Sequence, residues 1–401
     1  MENELTIITM NKFIHLVSSP FSKRDYDRYG IDILQKDGFD VEVWNVGKLI
    51  NKDAYEKNSH LSGKYEIEIV FDTKNEFLES CRKQEKAFFF VAASYTLNSL
   101  FLFRELSRCG HKLSISNSYP DSASVKAVDM NEPKLFIRNK LKLFSKLKEI
   151  SFKKISDKLI LTLPPWLFGV RYADLVFSGG DKSRFSNPLI GVNTKVVNVH
   201  VNDYDAFLKN PPKVSCDDNY AVFIDQNLPF NTDPSYTKTA RVATARNYYP
   251  SLKKFFDKLE KDLSMPIKIA LHPRTNFDSI SNVFGDREFL MGETASLVND
   301  SSFVIAHYSY AVNFAVLYKK PLIFITTDEL NTSFRQPAIE NISSHFNKVP
   351  INIDSNKSID WKSEMIVDSE VYNQYISNFI KKPKTPERFF WQVVGEQVNN
   401  C

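Results

Sequence analysis

Glycine is scarce in this chain, 12 in 401 residues. Glycine-rich loops are therefore not expected to organise it, and neither the G-x-G-x-x-G fingerprint nor the P-loop pattern occurs. Cysteine is scarcer, at Cys81, Cys109, Cys216 and Cys401, with no C-x-x-C pair. That leaves a zinc ribbon or redox dithiol without support and fits a reducing cytoplasm. No run of apolar residues is long enough for a membrane span, and Met1 to Val17 carries Glu2, Glu4, Lys12 and His15 among its apolar residues, unlike a signal peptide. Charge of one sign is missing too: 52 Lys and Arg face 48 Asp and Glu, a net charge of +4. With no recognition motif, no nucleic-acid partner is expected.

What is present is a globular composition, 43% hydrophobic and 25% charged, rich in Phe (32) and Tyr (17). The length suits two domains. Phe13 to Val17 reads as a strand, followed by the polar loop Ser18 to Arg28, a helix near Tyr29 to Lys36 ended by Gly38, and a strand over Val41 to Val46. That is the βαβ rhythm of an α/β domain. Further strands are expected at Ala87 to Ala93, Lys112 to Ser116, Leu175 to Ser178 and Val196 to His200, with a helix over Asn98 to Cys109. Lys209-Asn-Pro-Pro212 is the best linker. A second α/β series follows: strands at Tyr220 to Ile224, Ile267 to Leu271, Phe303 to Ala306 and Leu322 to Ile325, and helices at Tyr249 to Leu263 and Tyr310 to Tyr318. The expected domains are 1–212 and 213–382, with a tail, 383–401, whose helix starts near Thr385 with Pro386 in its first turn.

The sharpest signal is Ile267-Lys-Ile-Ala-Leu-His-Pro-Arg274. Pro273 breaks an apolar strand just after His272, placing His272 and Arg274 at a strand's C-terminal end, where open α/β sheets bind ligands. An imidazole beside a guanidinium suits a phosphate; a plain strand-ending turn with a capping His gives the same pattern. Ser301 to Pro321 joins a buried strand to an apolar helix with Ser309 expected at the N-cap, so that the N–H groups of Tyr310 and Ala311 would meet an anion. Between these, Met291-Gly-Glu-Thr294 offers Gly292 and Thr294 as a nucleotide-contacting turn, or a plain surface connection. Asp225 closes the first strand of the second half and could act as base or nucleophile toward a cleft, or merely start an Asx-type turn. Asp233 is a weaker candidate on the same loop. In the first half, Arg24, Asp25 and Arg28 lie in the loop after strand one, and His200 and Asp203 at another strand end; all are candidates for holding a polar acceptor. Finally, 134–158 carries nine Lys or Arg interleaved with apolar residues. Such a stretch suits an anionic membrane surface, or is a solvated helix face.

At His272-Pro273 and Ser309 the chain resembles bacterial GT-B glycosyltransferases that use CMP-activated acidic sugars: the His-Pro-motif sialyltransferases and the Kdo and pseudaminic acid transferases. The resemblance is best over Tyr220 to Thr327, with support from Arg24 to Gly30, Ala173 to Gly180 and the aromatic tail. It implies two Rossmann-like domains facing a cleft, with a C-terminal helix crossing back to the first. It implies Asp225 in the place of the family's acidic motif, although Gln226 and Asn227 follow where a Gly is usual; His272 and Ser309 would hold the CMP phosphate. This departure bears on whether the reaction inverts or retains. The expected activity is transfer of a nonulosonic or related keto-sugar acid to an oligosaccharide or lipid-linked acceptor in capsule or lipopolysaccharide assembly, with the CMP-sugar as substrate, no cofactor and no metal. The expected place is the cytoplasm, or the inner face of its membrane as a peripheral protein. Asp25-Tyr-Asp27 and Asp203-Tyr-Asp205 match the D-x-D metal clamp of another glycosyltransferase fold, but so short a pattern arises by chance. The alternatives are a UDP-sugar-dependent transferase, a nucleotide-sugar epimerase of the same fold, and a non-catalytic glycan-binding subunit.

Overall fold

A computed structural model describes residues 11–117, 122, 159–182, 187–213, 219–230, 241–277, 280 and 282–400. The basic stretch 134–158 and Asp233 lie outside the described residues.

The first half folds around seven parallel strands: β1 (Lys12–Val17), β2 (Asp40–Asn45), β3 (Glu68–Val70), β4 (Phe88–Val91), β5 (Lys112–Asn117), β6 (Leu175–Ser178) and β7 (Lys195–Asn198). Their spatial order is β3-β2-β1-β4-β5-β6-β7. The second half has six: β8 (Ala221–Ile224), β9 (Ile267–Leu271), β10 (Phe289–Met291), β11 (Phe303–Ala306), β12 (Leu322–Thr326) and β13 (Ile351–Asn352), ordered β10-β9-β8-β11-β12-β13. Every pairing is parallel; Phe13 faces both Val41 and Phe88, and Val222 pairs with Lys268 and Val304. The order reverses in each sheet where its first strand meets its fourth, which opens a crevice at the strands' C-terminal ends. The central strands run as unbroken apolar stretches, as parallel strands covered on both faces do: Phe88–Val91, Ala221–Ile224 and Phe303–Ala306 have no exposed residue.

Helices cover the sheets: α1 (Lys23–Arg28), α2 (Ile31–Lys36), α3 (Gly47–Lys57), α4 (Lys74–Lys83), α5 (Leu100–Cys109), α6 (Asn202–Lys209), α7 (Ala245–Leu263), α8 (Thr294–Asp300), α9 (Val312–Leu317), α10 (Gln336–Ser344) and α11 (Phe390–Asn399). Part of the segment expected to be loop is α1, because Ser22 and Asp25 form a reciprocal capping box. Gly30, in the left-handed region at φ 58°, separates α1 from α2.

The chain changes lobes earlier than the proline pair suggests. Val201 and Tyr204 belong to the second lobe's core, and α6 packs on α9. The return passes through the helix Ser369–Tyr375 and the turn Ile376–Ile380. That turn crosses so close to Gly180 that a Cβ there would strike the Asn378 backbone. The tail helix begins at Phe390 and leaves Pro386 outside it. It docks on the first lobe: Trp391 sits 6.2 Å from Phe13 and 4.8 Å from Phe90, ring centre to ring centre. Its indole N–H donates to the Arg28 carbonyl at 2.6 Å. Gly30 is required beneath it, since a Cβ there would enter the indole. Two Rossmann-like lobes with a tail that returns to the first make this the GT-B architecture. Among the described residues no helix is long and apolar enough to cross a membrane.

Candidate active site

The second sheet brings Asp225, His272 and Ser309 to one edge. Asp225 follows β8, His272 follows β9 on one side, and Ser309 follows β11 on the other. The strands that lead to the outer pair, β9 and β11, lie two strand spacings apart, roughly 10 Å. Gln226 ties the middle to one flank: its Oε1 accepts the Tyr308 N–H at 3.0 Å across the β8–β11 crevice.

Asp225 is 2% exposed. Its N–H donates to the Ala270 carbonyl at 2.9 Å and its Oδ1 accepts the Asn227 N–H at 3.0 Å, an Asx-type turn. Its Oδ2 is buried without a hydrogen bond. Burial pushes the carboxyl up to about 6, against nearby N–H groups of Asn227, His272 and Gln226 that favour the charged form. Burial and the Asp225 charge together push the Tyr248 hydroxyl well above its usual range. The carboxylate expected at the cleft surface thus sits beneath it, because the Asx-type turn folds the chain back over Asp225.

His272 is half-buried, and its Nδ1 accepts the Arg274 N–H at 3.2 Å. In the neutral ring the proton is therefore on Nε2, where it can be donated. Arg274 is also half-buried. Ser309 Oγ accepts the Ala311 N–H at 3.2 Å, so that N–H is already engaged and not presented to an anion. The helix starts later than expected, at Val312, and runs only six residues. The strand-to-helix connection closes first as a turn in which Val312 N–H bonds the Ser309 carbonyl. Tyr310 is 42% exposed beside it. Gly292, at φ 85°, follows β10 on the same edge with open space where a side chain would be, and half-buried Thr294 begins α8.

The first-lobe candidates divide. Asp25 is engaged in the α1 capping box, its Oδ2 accepting from Ser22 Oγ at 2.6 Å. His200 is fully buried: its ring nitrogens meet the carbonyls of Val201 at 3.0 Å and Arg388 at 2.8 Å, so it fastens the returning tail and has no surface to offer an acceptor. Asp203 accepts from Asn313 Nδ2 at 2.9 Å, joining α6 to α9. Burial raises its carboxyl, while Asn313, Arg28 and Arg24 pull it down, which places both arginines of α1 close to the junction of the lobes.

Three features carried too little signal to be read from the sequence. His307, 0% exposed, accepts from the Tyr248 hydroxyl at Nε2 (2.9 Å) and donates from Nδ1 to the Ile325 carbonyl (2.7 Å); burial pulls it down to about 4. A histidine closing a buried strand, as His272 does, was its one mark. The Arg335 guanidinium covers the Tyr308 and Phe334 rings at 5.6 and 5.1 Å. Gln226 stands where the resembling family differs. As to metals, Cys81, Cys109 and His111 have their ligand atoms within 4.8 Å of one another. Both His111 nitrogens are taken, however: Nδ1 accepts the Ala87 N–H and Nε2 donates to the Cys81 carbonyl. Burial also pushes the Cys81 thiol far up, away from the thiolate a metal needs. This cluster is packing.

No protein-family model matches the chain, and no curated protein matches it. Solved structures similar in overall course include MurG of Acinetobacter baumannii (9% identity, TM-score 0.45, covering 97% of this chain and 100% of that one). The glycosyltransferase SnogD from Streptomyces nogalater is similar at 9% identity and TM-score 0.48, over 98% of each chain. The UDP-GlcNAc 2-epimerase of Methanocaldococcus jannaschii is similar at 13% identity and TM-score 0.39, over 91% of this chain and 98% of that one. The assignment of the architecture rests on the strand order and the returning tail.

Proposed function

We propose that this protein is a glycosyltransferase that moves an acidic keto-sugar from a CMP-linked donor to an acceptor glycan during assembly of a bacterial surface polysaccharide. One observation supports it most: a buried carboxyl with one unbonded oxygen, held near pKa 6, lies between His272 and Ser309 at the order-reversal point of the second sheet. The choice of CMP and of an acidic sugar comes from the resemblance at His272-Pro273, Asp225 and Ser309.

In this reading the donor phosphate lies along the β9–β8–β11 edge. His272 donates to it from Nε2, Arg274 supplies positive charge, and Ser309, Tyr310, Gly292 and Thr294 line the rest of the nucleotide-sugar site, with Ala311 only holding Ser309 in place. The bond from the sugar's anomeric carbon to the phosphate oxygen breaks, and these donors meet the charge left on CMP. The acceptor oxygen forms the new bond and its proton passes to Asp225 Oδ2 once the 226–230 segment shifts to admit it. If the reaction retains configuration, Asp225 instead forms a transient bond to the anomeric carbon. Charge on the departing phosphate is met by these side chains, so no metal is required and a chelator is expected to leave turnover intact. Membrane attachment through 134–158 belongs to the same proposal.

The test is thermal stabilisation by CMP and by UDP, followed by turnover with CMP- and UDP-sugars. CMP-specific stabilisation with transfer from a CMP-sugar supports the proposal. Stabilisation by UDP alone turns the assignment to a UDP-sugar transferase or epimerase. Glycan binding without response to either nucleotide identifies a non-catalytic subunit and overturns it.

A further inference from the structure

A cavity of 340 Å³ opens beside Arg28 and Trp391 at the first sheet's crevice. A larger one, of 670 Å³, lies on the outer edge of the second sheet, where β13 ends the strand order. It is lined by α7 and the segment 349–360, and its volume falls within the about 300–1,000 Å³ typical of ligand sites. None of its described lining residues belongs to the candidate active site.

The sequence of α7 supplies its charge. Leu252, Phe255, Phe256 and Leu259 bury the inner face of the helix, which leaves Lys254 and Lys258 exposed, one turn apart. Like charges at that spacing repel, by about 0.2–0.5 kcal/mol. The nearby acids of the helix are engaged elsewhere: Asp257 with Lys253 at 3.0 Å and with Arg287 at 2.7 Å, and Asp262 with the Trp361 N–H at 3.2 Å. Lys357 lines the same cavity from the facing segment. Among the described residues, no hydrogen bond or ion pair holds any of these three lysines. The N–H groups of Asn356, Lys357 and Ser358 have no acceptor there either. Two carboxylates share the lining, and both are occupied. Asp360 caps the short helix Trp361–Glu364 by accepting the Ser363 N–H at 3.2 Å, and Glu364 pairs with Lys348 at 3.1 Å.

Three ammonium groups and a row of backbone donors thus face one cavity without counter-charges of their own, and an anion bound there would stabilise the fold. Lysine meets phosphate as a point charge, whereas the planar fork of arginine suits a carboxylate. The described lining holds no arginine, and its positive charge is spread over two walls. Both facts favour a chain of phosphates over a single phosphate or an acidic sugar. We propose that this cavity binds a soluble polyphosphate-bearing molecule, of the tripolyphosphate or nucleoside triphosphate kind, with its phosphate oxygens on Lys254, Lys258 and Lys357. The site stands apart from the β9–β8–β11 edge, so it does not depend on the transferase reading.

The experiment titrates the full chain by calorimetry, at constant ionic strength, with sodium tripolyphosphate, ATP and orthophosphate. Tripolyphosphate is expected to bind at least about tenfold more tightly than orthophosphate. Equal affinity for ATP supports a site that reads the phosphate chain alone; higher affinity for ATP supports one that reads the base as well. Lys254→Gln combined with Lys258→Gln should weaken tripolyphosphate binding at least about tenfold. Without ligand, the melting temperature of that variant should hold or rise slightly, because the repulsion on α7 is relieved. Arg274→Gln, in the cleft, should leave the affinity within about twofold. No saturable binding, equal affinity for orthophosphate, an affinity unchanged in the double variant, or an affinity lost in Arg274→Gln would overturn the proposal. Vesicles of phosphatidylcholine and phosphatidylserine form a further arm. Binding to those vesicles alone, lost in the double variant, would make the cavity a lipid contact and overturn the proposal as well.

Discussion

The two crevices share a topology and differ in nearly everything else. In the first, buried aromatic rings close in behind the ends of β4 and β5, Arg28 is the one cation among the described residues that line the opening, and His15 on β1 has no polar partner. In the second, β8 and β11 part over a carboxyl, an amide that bridges the strand ends and a histidine whose two nitrogens are both satisfied. The fold provides a crevice twice; the residues just past each strand decide what it can hold. His15 and His307 make the contrast concrete. Burial pulls both down, to about 3 and about 4, but only His307 is part of a hydrogen-bonded chain.

The largest effect should come from the first crevice. Trp391→Ala removes the indole that seats on Gly30 and closes the pocket wall, and should cost about 3–5 kcal/mol in urea unfolding. A loss below about 1 kcal/mol would mean the tail does not hold the first lobe together.

In the second crevice the large effect is on rate rather than stability. His272→Ala should lower turnover at least about tenfold with its melting temperature nearly unchanged. Near-normal turnover would remove His272 from the site.

The pH dependence of stability should run in opposite directions in the two crevices. Asp225 titrates near 6 when folded and near 3.8 in its ordinary range, so its stabilising contribution is present below 3.8 and is lost as pH rises through 6. The loss is about 3 kcal/mol, and Asp225→Asn should abolish it. In activity, ionised Asp225 is the working form, so turnover should climb through about pH 6 and Asp225→Asn should remove both limb and turnover. His15, near 3 folded against 6.5 ordinarily, destabilises the protein as pH falls below 6.5, by about 1.4 kcal/mol per pH unit. His15→Phe should therefore flatten the acid side of the stability curve; an unchanged curve would show that His15 takes up its proton without cost.

The smallest effect sharpens the comparison from outside it. The Lys23–Asp27 pair on α1 spans 2.8 Å, yet both side chains are more than half exposed. Lys23→Ala should leave the unfolding midpoint unmoved, since exposed pairs are screened. A clear shift would mean that α1 transmits stability into the first crevice.

Much of the fold was legible because buried parallel strands are short apolar runs with abrupt ends: Leu175–Ser178, Ile267–Leu271 and Phe303–Ala306 stand where the sequence places them. Elements whose signal is polar or weak were not. Helix α6 follows His200 where only a strand end was expected, and α1 hides in a stretch that looks like loop until the Ser22–Asp25 box is seen. In the candidate site, the break at Pro273 and the end of the first strand of the second lobe were readable, so His272 and Asp225 could be named. Their depth was not, because burial depends on which loop covers a strand end.

By itself, then, the sequence determined the α/β class, the two-lobe organisation and the side chains that end the central strands, since these follow from hydrophobic runs and local breaks. Only tertiary structure decided that His200 fastens the tail, that Asp225 lies under its own turn, and that Trp391, at the far end of the chain, completes a pocket beside Arg28. Those are contacts between residues distant in the chain, and no local pattern encodes which of them packing will bring together.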